Sequence, residues 1–147
     1  MATPQSQQET KLEIKHTCSA SRERVFRAWT DPAELARWFH PSVDHSTLVP
    51  ELDLRVGGAY RLEMHHKTGT IHRLYGTYRE INPPEKLVFS WRWQPDGPES
   101  LVTLEFRDLS TTTEIHLTHE HLPSIEERDK HNHGWLGCLD QLNKYLP

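Results

Sequence analysis

A long helical pattern ends the chain, after a stretch that mostly alternates with the period of β-strands. It begins at Ser124, which has capping-box spacing to Glu127, and it predicts an amphipathic helix of about 20 residues. The apolar positions of this helix fall on one stripe, namely Trp135, Leu139, Leu142 and Leu146. Such a stripe is stable only when another element covers it, and an antiparallel sheet has one face to bury. We therefore expect the helix to pack on a sheet.

The preceding residues predict one strand, two short helices and then a run of strands. Residues 11–18 alternate as a half-buried strand, and a first helix begins at Ser21. Asp31 suits the N-cap of a second short helix, with Glu34 making the return contact of a capping box and Pro41 ending the helix. The alternating segments that follow are 43–49, 60–64, 71–81, 87–93, 102–106 and 115–119.

This order of elements is typical of an α+β fold rather than of alternating βαβ units. We expect a curved antiparallel sheet of about six to seven strands that wraps around the long C-terminal helix and encloses an apolar pocket. A chain of 147 residues needs one core, so residues 11–147 are expected to form a single domain. Residues 1–10 are expected to be a disordered tail.

Composition excludes several classes of function. The formal net charge is −4, and the 17 basic and 21 acidic side chains are mixed along the chain, so nucleic-acid binding is not expected. No run approaches the roughly 20 apolar residues that cross a bilayer, and the N-terminus does not resemble a secretory signal. We therefore expect a soluble cytoplasmic protein, in which Cys18 and Cys138 are small buried hydrophobes in a reducing compartment.

Eleven histidines raise the question of a metal centre, which needs two or more ligands on one face. His65 and His66 would point to opposite faces of a strand, and His131 and His133 lie about 200° apart on a helix. The sequence also contains no HExxH motif, no serine nucleophile elbow and no dinucleotide fingerprint. We expect neither a metal nor a cofactor.

Two other histidines and one tyrosine are candidates to face the pocket. His119 continues the inward positions of its strand, and His131 lies one helical turn before Trp135. They are either satisfied core or rim histidines, or they orient the polar end of a ligand, or they act as a general acid or base. The alternation around Tyr78 leaves both faces of its strand open, so its hydroxyl faces either the pocket or solvent.

Tryptophans dominate the remaining inward positions. Large rings usually form core, but rings around a cavity also make a flat wall for an aromatic or acyl ligand. The residues expected to line the pocket are Trp38, Phe39, Leu62, Met64, Tyr78, Trp91, Trp93, His119, His131, Trp135 and Leu139.

Four ordered blocks of the sequence resemble a known family. The blocks are RVFRAWTDPAELARWF (24–39), DLRVGGAYRLEM (53–64), GTYREINPPEKLVFSWRW (76–93) and THEHLPSIEERDKHNHGWLGCLDQL (118–142). Together they resemble the domains similar to the activator of the 90-kDa heat-shock protein ATPase, within the SRPBCC or START-like superfamily. The resemblance implies a helix-grip fold, in which the sheet grips the C-terminal helix and a hydrophobic cavity opens near the start of that helix.

The resemblance leaves three functions open, because such domains include chaperone activators, lipid carriers, antibiotic-sequestering proteins and aromatic cyclases. The first is non-catalytic binding of a small hydrophobic molecule, such as a lipid, an aromatic or a polyketide-like compound. The second is a cyclase- or hydrolase-type enzyme that uses a cavity histidine and Tyr78. The third is a chaperone accessory protein acting through its surface, although the chaperone activator itself carries an additional N-terminal chaperone-binding domain, which we do not expect in this chain. We expect a monomer or a weak homodimer.

Overall fold

The computed structural model describes residues 10–146. In chain order these residues form β1 (Leu12–Cys18), α1 (Arg22–Thr30), α2 (Pro32–Trp38), β2 (His45–Leu52), β3 (Ala59–His66), β4 (Ile71–Asn82), β5 (Lys86–Trp91), β6 (Ser100–Asp108), β7 (Thr113–Glu120) and α3 (Ile125–Tyr145). The predicted α+β order is confirmed, with two short helices directly after β1. Apart from Thr10, the tail predicted over residues 1–10 lies outside the described residues.

The seven strands form one antiparallel sheet in the order β1-β7-β6-β5-β4-β3-β2. Register shifts interrupt the β2–β3 pairing between Leu48 and Glu51 and the β4–β5 pairing between Tyr78 and Glu80. Shifts of this kind bend a strand and increase its twist, so they curve the sheet. The curved sheet holds α3 on its buried face, which confirms the predicted helix-grip fold.

The core lies between α3 and this one face of the sheet. Alternate residues of β6 and β7 are buried, among them Leu104 and Leu117, because successive side chains of a strand point to opposite faces. The helix contributes Trp135, Leu139 and Leu142 of its predicted stripe, and Cys138 is buried beside them. Leu146 forms the C-cap of α3 and is also buried.

Side-chain caps set the starts of the three helices, as predicted. Ser21 accepts from the backbone N–H of Arg24 at 3.2 Å, and Ser124 accepts from that of Glu127 at 3.1 Å. Asp31 accepts from the backbone N–H of Ala33 at 2.8 Å, directly ahead of a proline in the first helical turn.

The return contact expected from Glu34 is wrong. The backbone N–H of Asp31 donates instead to the Arg27 carbonyl at 2.9 Å, because the two helices follow each other without a loop. The Glu34 carboxylate is held by its neighbours: it accepts from the guanidinium groups of Arg24 and Arg27 and from the Tyr145 hydroxyl at the end of α3.

The strand predicted over residues 87–93 ends two residues early. β5 stops at Trp91, and Arg92 makes only an isolated bridge to Tyr75 before the turn that leads to β6. Glu99 and the Gly97 carbonyl hold the Arg92 guanidinium in that turn. Trp93 therefore lies at the rim of the sheet, 39% exposed, rather than fully inward.

Candidate functional site

α3 does not fill the concave face of the sheet, and a cavity of about 240 Å³, here called the outer cavity, lies beside its first half. Its walls come from the end of α2, from β3, from the end of β5 and from α3. The lining residues are Phe39, Pro41, Met64, Trp91, Trp93, Glu127, Lys130, His131, Gly134, Trp135 and Cys138. Most of this wall is aromatic or aliphatic, so the outer cavity suits an apolar guest.

A second space of about 350 Å³, the side cavity, lies between the β5–β6 turn and the start of α3. Its lining residues are Trp91, Trp93, Gln94, Gly97, Pro98, Ser100, Leu122, Pro123, Glu127 and His131. Four of these also line the outer cavity, and two of the four are joined across the helix–sheet gap: the Trp93 indole N–H donates to Nε2 of His131 at 2.9 Å. This hydrogen bond forms part of the wall between the two cavities.

A third space, the inner cavity, measures only about 30 Å³ and lies deeper against the sheet. It is lined by Trp29, Leu35, Phe39, Tyr60, Leu62, Leu74, Tyr78, Leu87, Phe89 and Trp91. A space of about 10–15 Å³ is enough for one water molecule, so this cavity holds water-sized guests. Tyr78 is 3% exposed and thus faces inward, and burial raises the pKa of its hydroxyl.

Aromatic rings pack against one another around these spaces. The Trp91 ring lies at the centre, with ring centroids 5.1 Å from Trp135, 5.4 Å from Trp93 and 6.3 Å from Phe39. Trp29 packs 6.0 Å from Trp135 on the far side. All four pairs are tilted or edge-to-face rather than stacked face to face, as aromatic quadrupoles favour, so the rings support one another as a wall.

His119 is buried behind this wall, and both of its ring nitrogens have partners. The Trp135 indole N–H donates to Nδ1 at 3.0 Å; because an indole nitrogen only donates, Nδ1 is an acceptor and the ring proton sits on Nε2. Nε2–H then donates to Oγ of Ser100 at 2.7 Å. Burial, and secondarily the nearby His131, hold the pKa of His119 well below its usual value, so the ring is neutral.

His131 carries its ring proton on the other nitrogen from that of His119. Its Nε2 accepts from Trp93, so the ring proton sits on Nδ1, which donates to the Glu127 backbone carbonyl at 2.7 Å. The two histidine rings lie 5.1 Å apart. In this arrangement neither ring offers a free nitrogen to a guest, because indole N–H groups occupy both acceptor positions. This geometry matches the interpretation of both residues as satisfied histidines.

The structure brings most of the predicted pocket residues together, but not all onto one wall. Phe39, Met64, Trp91, Trp93, His131 and Trp135 line the outer cavity, whereas Leu62 and Tyr78 line the inner cavity. Trp38, His119 and Leu139 are packed behind these walls. Trp38 is held there because its indole N–H donates to the Ala28 carbonyl at 2.8 Å.

Five residues that line the outer cavity were missed by the sequence analysis: Pro41, Glu127, Lys130, Gly134 and Cys138. Glu127 lies four residues before His131, Lys130 lies four before Gly134, and Gly134 and Cys138 lie three and seven residues after His131, so helical spacing alone places all four on one face of α3. Pro41 had no such signal, since it was interpreted only as a helix stop. Its carbonyl packs against Gly137 of α3.

A further group of histidines lies near the edge of the sheet. The His45 ring is 4.7 Å from that of His66 and 6.3 Å from that of His72. Burial lowers the pKa of His45, and the charges of the neighbouring histidines lower it further. Within residues 10–146, no group of three or more His, Cys, Asp or Glu side chains is arranged to hold a metal ion.

The family model described as Activator of Hsp90 ATPase homolog 1-like protein matches residues 19–147. The chain belongs to this family, within the SRPBCC or START-like superfamily. A human relative, Activator of 90 kDa heat shock protein ATPase homolog 1, is 28% identical over 127 residues, which are 85% of this chain and 33% of that protein. The chain thus spans about a third of the length of that relative.

Several solved structures are similar to this chain and share its fold. A protein of Chromobacterium violaceum is 30% identical with a TM-score of 0.85, over 93% of this chain and 96% of that one. The AHSA1-like protein of Aeromonas hydrophila is 28% identical with a TM-score of 0.79, over 92% and 90% of the two chains. The AHSA1 protein of Silicibacter pomeroyi is 25% identical with a TM-score of 0.80, over 91% and 95%. In the described part of this family member, no helix has the length and apolar character needed to span a membrane.

Proposed function

We propose that this domain binds a small hydrophobic molecule in the outer cavity, without catalysing its conversion. The observation that carries the proposal is the cavity itself: about 240 Å³ between α3 and the sheet, with a mostly apolar and aromatic wall. A dry apolar cavity of about 150 Å³ is already large enough to bind benzene, so this one accommodates a larger ring system. Affinity would come mainly from the burial of apolar surface.

The charged residues in the wall support an apolar guest rather than an ionic one. Glu127 and Lys130 lie on the first turns of α3, and the Lys130 ammonium is 3.6 Å from carboxylate oxygens of both Glu126 and Glu127. These ion pairs leave little uncompensated charge to attract an ionic ligand.

The histidine geometry favours binding over catalysis. A general base needs a free ring nitrogen within hydrogen-bond reach of the substrate. The accepting nitrogens of His119 and His131 are both occupied by indole N–H groups. A catalytic role for His131 would require Trp93 to release it first.

Gly134 allows a direct test of the outer cavity. It lines that cavity on α3, and a Cβ added there meets nothing within 4 Å, so we expect a larger side chain at this position to take up cavity space without disturbing the core. We expect the neutral fluorophore N-phenyl-1-naphthylamine to bind the wild-type domain and the Gly134→Ala variant with similar affinity. Gly134→Leu should weaken binding by at least about tenfold while leaving the urea unfolding midpoint no lower than that of wild type.

Two results would refute this function. One is the absence of saturable fluorophore binding to the wild-type domain. The other is binding by Gly134→Leu that equals that of Gly134→Ala, since the guest would then occupy some other surface.

A second candidate function is that of a chaperone accessory protein, and the name of the human relative favours it. Such a role would use the outer surface and would not depend on an empty cavity. The Gly134→Leu variant separates the two: stimulation of a 90-kDa chaperone ATPase should be the same for this variant and for wild type if the surface acts alone. No stimulation by either protein would remove this candidate.

A further inference from the structure

Two of the five tryptophans bury an indole N–H that has no partner among the described residues. Trp38, Trp93 and Trp135 each donate, to the Ala28 carbonyl and to the two histidines. The Nε1 atoms of Trp29 and Trp91 have no hydrogen-bond partner. An unpaired buried donor costs about 1–3 kcal/mol and is rare in folded proteins, so each of these groups calls for an explanation.

The two groups differ in what can reach them. Of the three cavities described above, Trp29 borders the inner one, whose volume of about 30 Å³ is enough for a water molecule. Trp91 is only 5% exposed, yet it lines the outer, side and inner cavities. Of the two rings with an unpaired N–H, that of Trp91 is therefore the one that borders the outer cavity.

The accepting nitrogens of the two nearby histidines already have other donors. Nδ1 of His119 accepts from Trp135, and Nε2 of His131 accepts from Trp93. The Glu127 carboxylate, the one acidic group lining the outer cavity, is 3.6 Å from the Lys130 ammonium. The accepting nitrogens of both histidines are thus occupied, whereas the Trp91 N–H is a donor without a partner, so the polar group of the ligand that is still needed here is an acceptor.

We propose that the ligand of the outer cavity is an uncharged apolar molecule that carries a hydrogen-bond acceptor, such as an aromatic ketone, quinone or ester, and that this acceptor takes the Trp91 indole N–H. This inference rests on the proposed function and adds the chemical class of the ligand. The competing explanation is that water in the inner cavity satisfies Trp91, in which case the guest makes apolar contacts alone.

The test compares two guests that differ only in the acceptor. 2-Acetylnaphthalene and 2-isopropenylnaphthalene have nearly the same shape, because C=O in the first is C=CH₂ in the second. Each is titrated by displacement of N-phenyl-1-naphthylamine from the wild-type domain and from Trp91→Phe. We expect the ketone to bind wild type about tenfold more tightly than the alkene, and we expect this preference to disappear in Trp91→Phe.

A second measurement does not depend on a mutant that folds well. In wild-type protein labelled with ¹⁵N at the indole nitrogens, the Trp91 N–H resonance, identified by its absence from the Trp91→Phe spectrum, should move downfield with the ketone and stay close to its free position with the alkene. The Trp38 resonance is the internal control, because its N–H is already bonded to a backbone carbonyl away from the cavity walls.

The outcomes separate the two proposals. Failure of the fluorophore to bind overturns the proposed function and this inference with it. The fluorophore could bind while ketone and alkene compete equally for the site, or while the Trp91 resonance does not move when the ketone is added. In either case the proposed function stands and the ligand class is wrong.

Discussion

Two glycines one turn apart on α3 should respond in opposite ways to the same substitution. An added Cβ at Gly134 meets nothing within 4 Å. At Gly137 it would overlap the backbone carbonyl oxygen of Pro41 and would also lie 3.0 Å from the carbonyl carbon and 3.2 Å from Cα. The same chemical change therefore enters open space at one position and a backbone contact at the other.

The magnitudes follow from helix propensity and overlap. Alanine is more favourable than glycine in a helix interior by about 0.8–1.0 kcal/mol, so Gly134→Ala should stabilise the domain by about 1 kcal/mol and raise Tm by about 3 °C. Gly137→Ala gains the same propensity, but it forces the Pro41 backbone away from α3, and overpacking of this kind costs about 1–3 kcal/mol. Because the neighbour is backbone rather than a flexible side chain, we expect the upper end of that range and a net loss of about 2 kcal/mol.

Urea unfolding followed by tryptophan fluorescence measures both variants against wild type. Equal stabilisation by the two substitutions would show that α3 and Pro41 are not in close contact in solution. Destabilisation by Gly134→Ala would show that Gly134 does not border an open space, which would contradict the outer cavity as described here.

Three further predictions concern buried polar groups and thiols. Because burial holds the pKa of His119 well below 6.5 in the folded state, the unfolded state takes up a proton at a higher pH than the folded state does. The free energy of unfolding, measured in urea, should therefore fall as pH drops below about 6.5, by up to about 1.4 kcal/mol per pH unit. His119→Gln should make this slope shallower, and an unchanged slope would contradict the lowered pKa of His119. Ser100→Ala leaves the His119 Nε2–H without its acceptor and should lower the free energy of unfolding by about 1–3 kcal/mol. The control Ser46→Ala, at an exposed position, should lower it by less than about 0.5 kcal/mol. Equal effects of the two substitutions would count against the Ser100–His119 hydrogen bond. Burial raises the pKa of the Cys18 and Cys138 thiols, that of Cys18 to about 12. Neither thiol should therefore react with Ellman's reagent at pH 8 until the protein is unfolded in urea. Rapid labelling of the folded protein would show that the thiols are accessible and would refute the prediction.

Much of the fold could be predicted because its signals are local. The Ser21, Asp31 and Ser124 caps act within three residues, and the alternation of β6 and β7 repeats every two. Such patterns depend on the geometry of one element, so the sequence reports them directly. The errors also have local causes: the strand period continued through Trp93, but the turn after Trp91 ended the pairing first.

The candidate site could be predicted only in part, since a position on an inward face does not say what stands opposite. The bond between Trp93 and His131 joins residues 38 positions apart, and that between Trp135 and His119 joins residues 16 apart. Sequence periodicity placed all four near the interior. It did not indicate that the indoles would occupy the histidine nitrogens, and for that reason a catalytic histidine remained an open hypothesis.

The amino-acid sequence alone determined the order of elements, the helix starts, the buried stripe of α3 and the membership of a family of helix-grip domains, because each depends on short-range patterns or on ordered blocks of residues. Only the tertiary structure decided where the outer, side and inner cavities lie, that both ring nitrogens of His119 and of His131 have partners, and that Trp91, whose ring borders the outer cavity, keeps an unpaired N–H. These features arise where β5, β7 and α3 meet, and the distances between separate elements are set by how their side chains pack together rather than by any one segment.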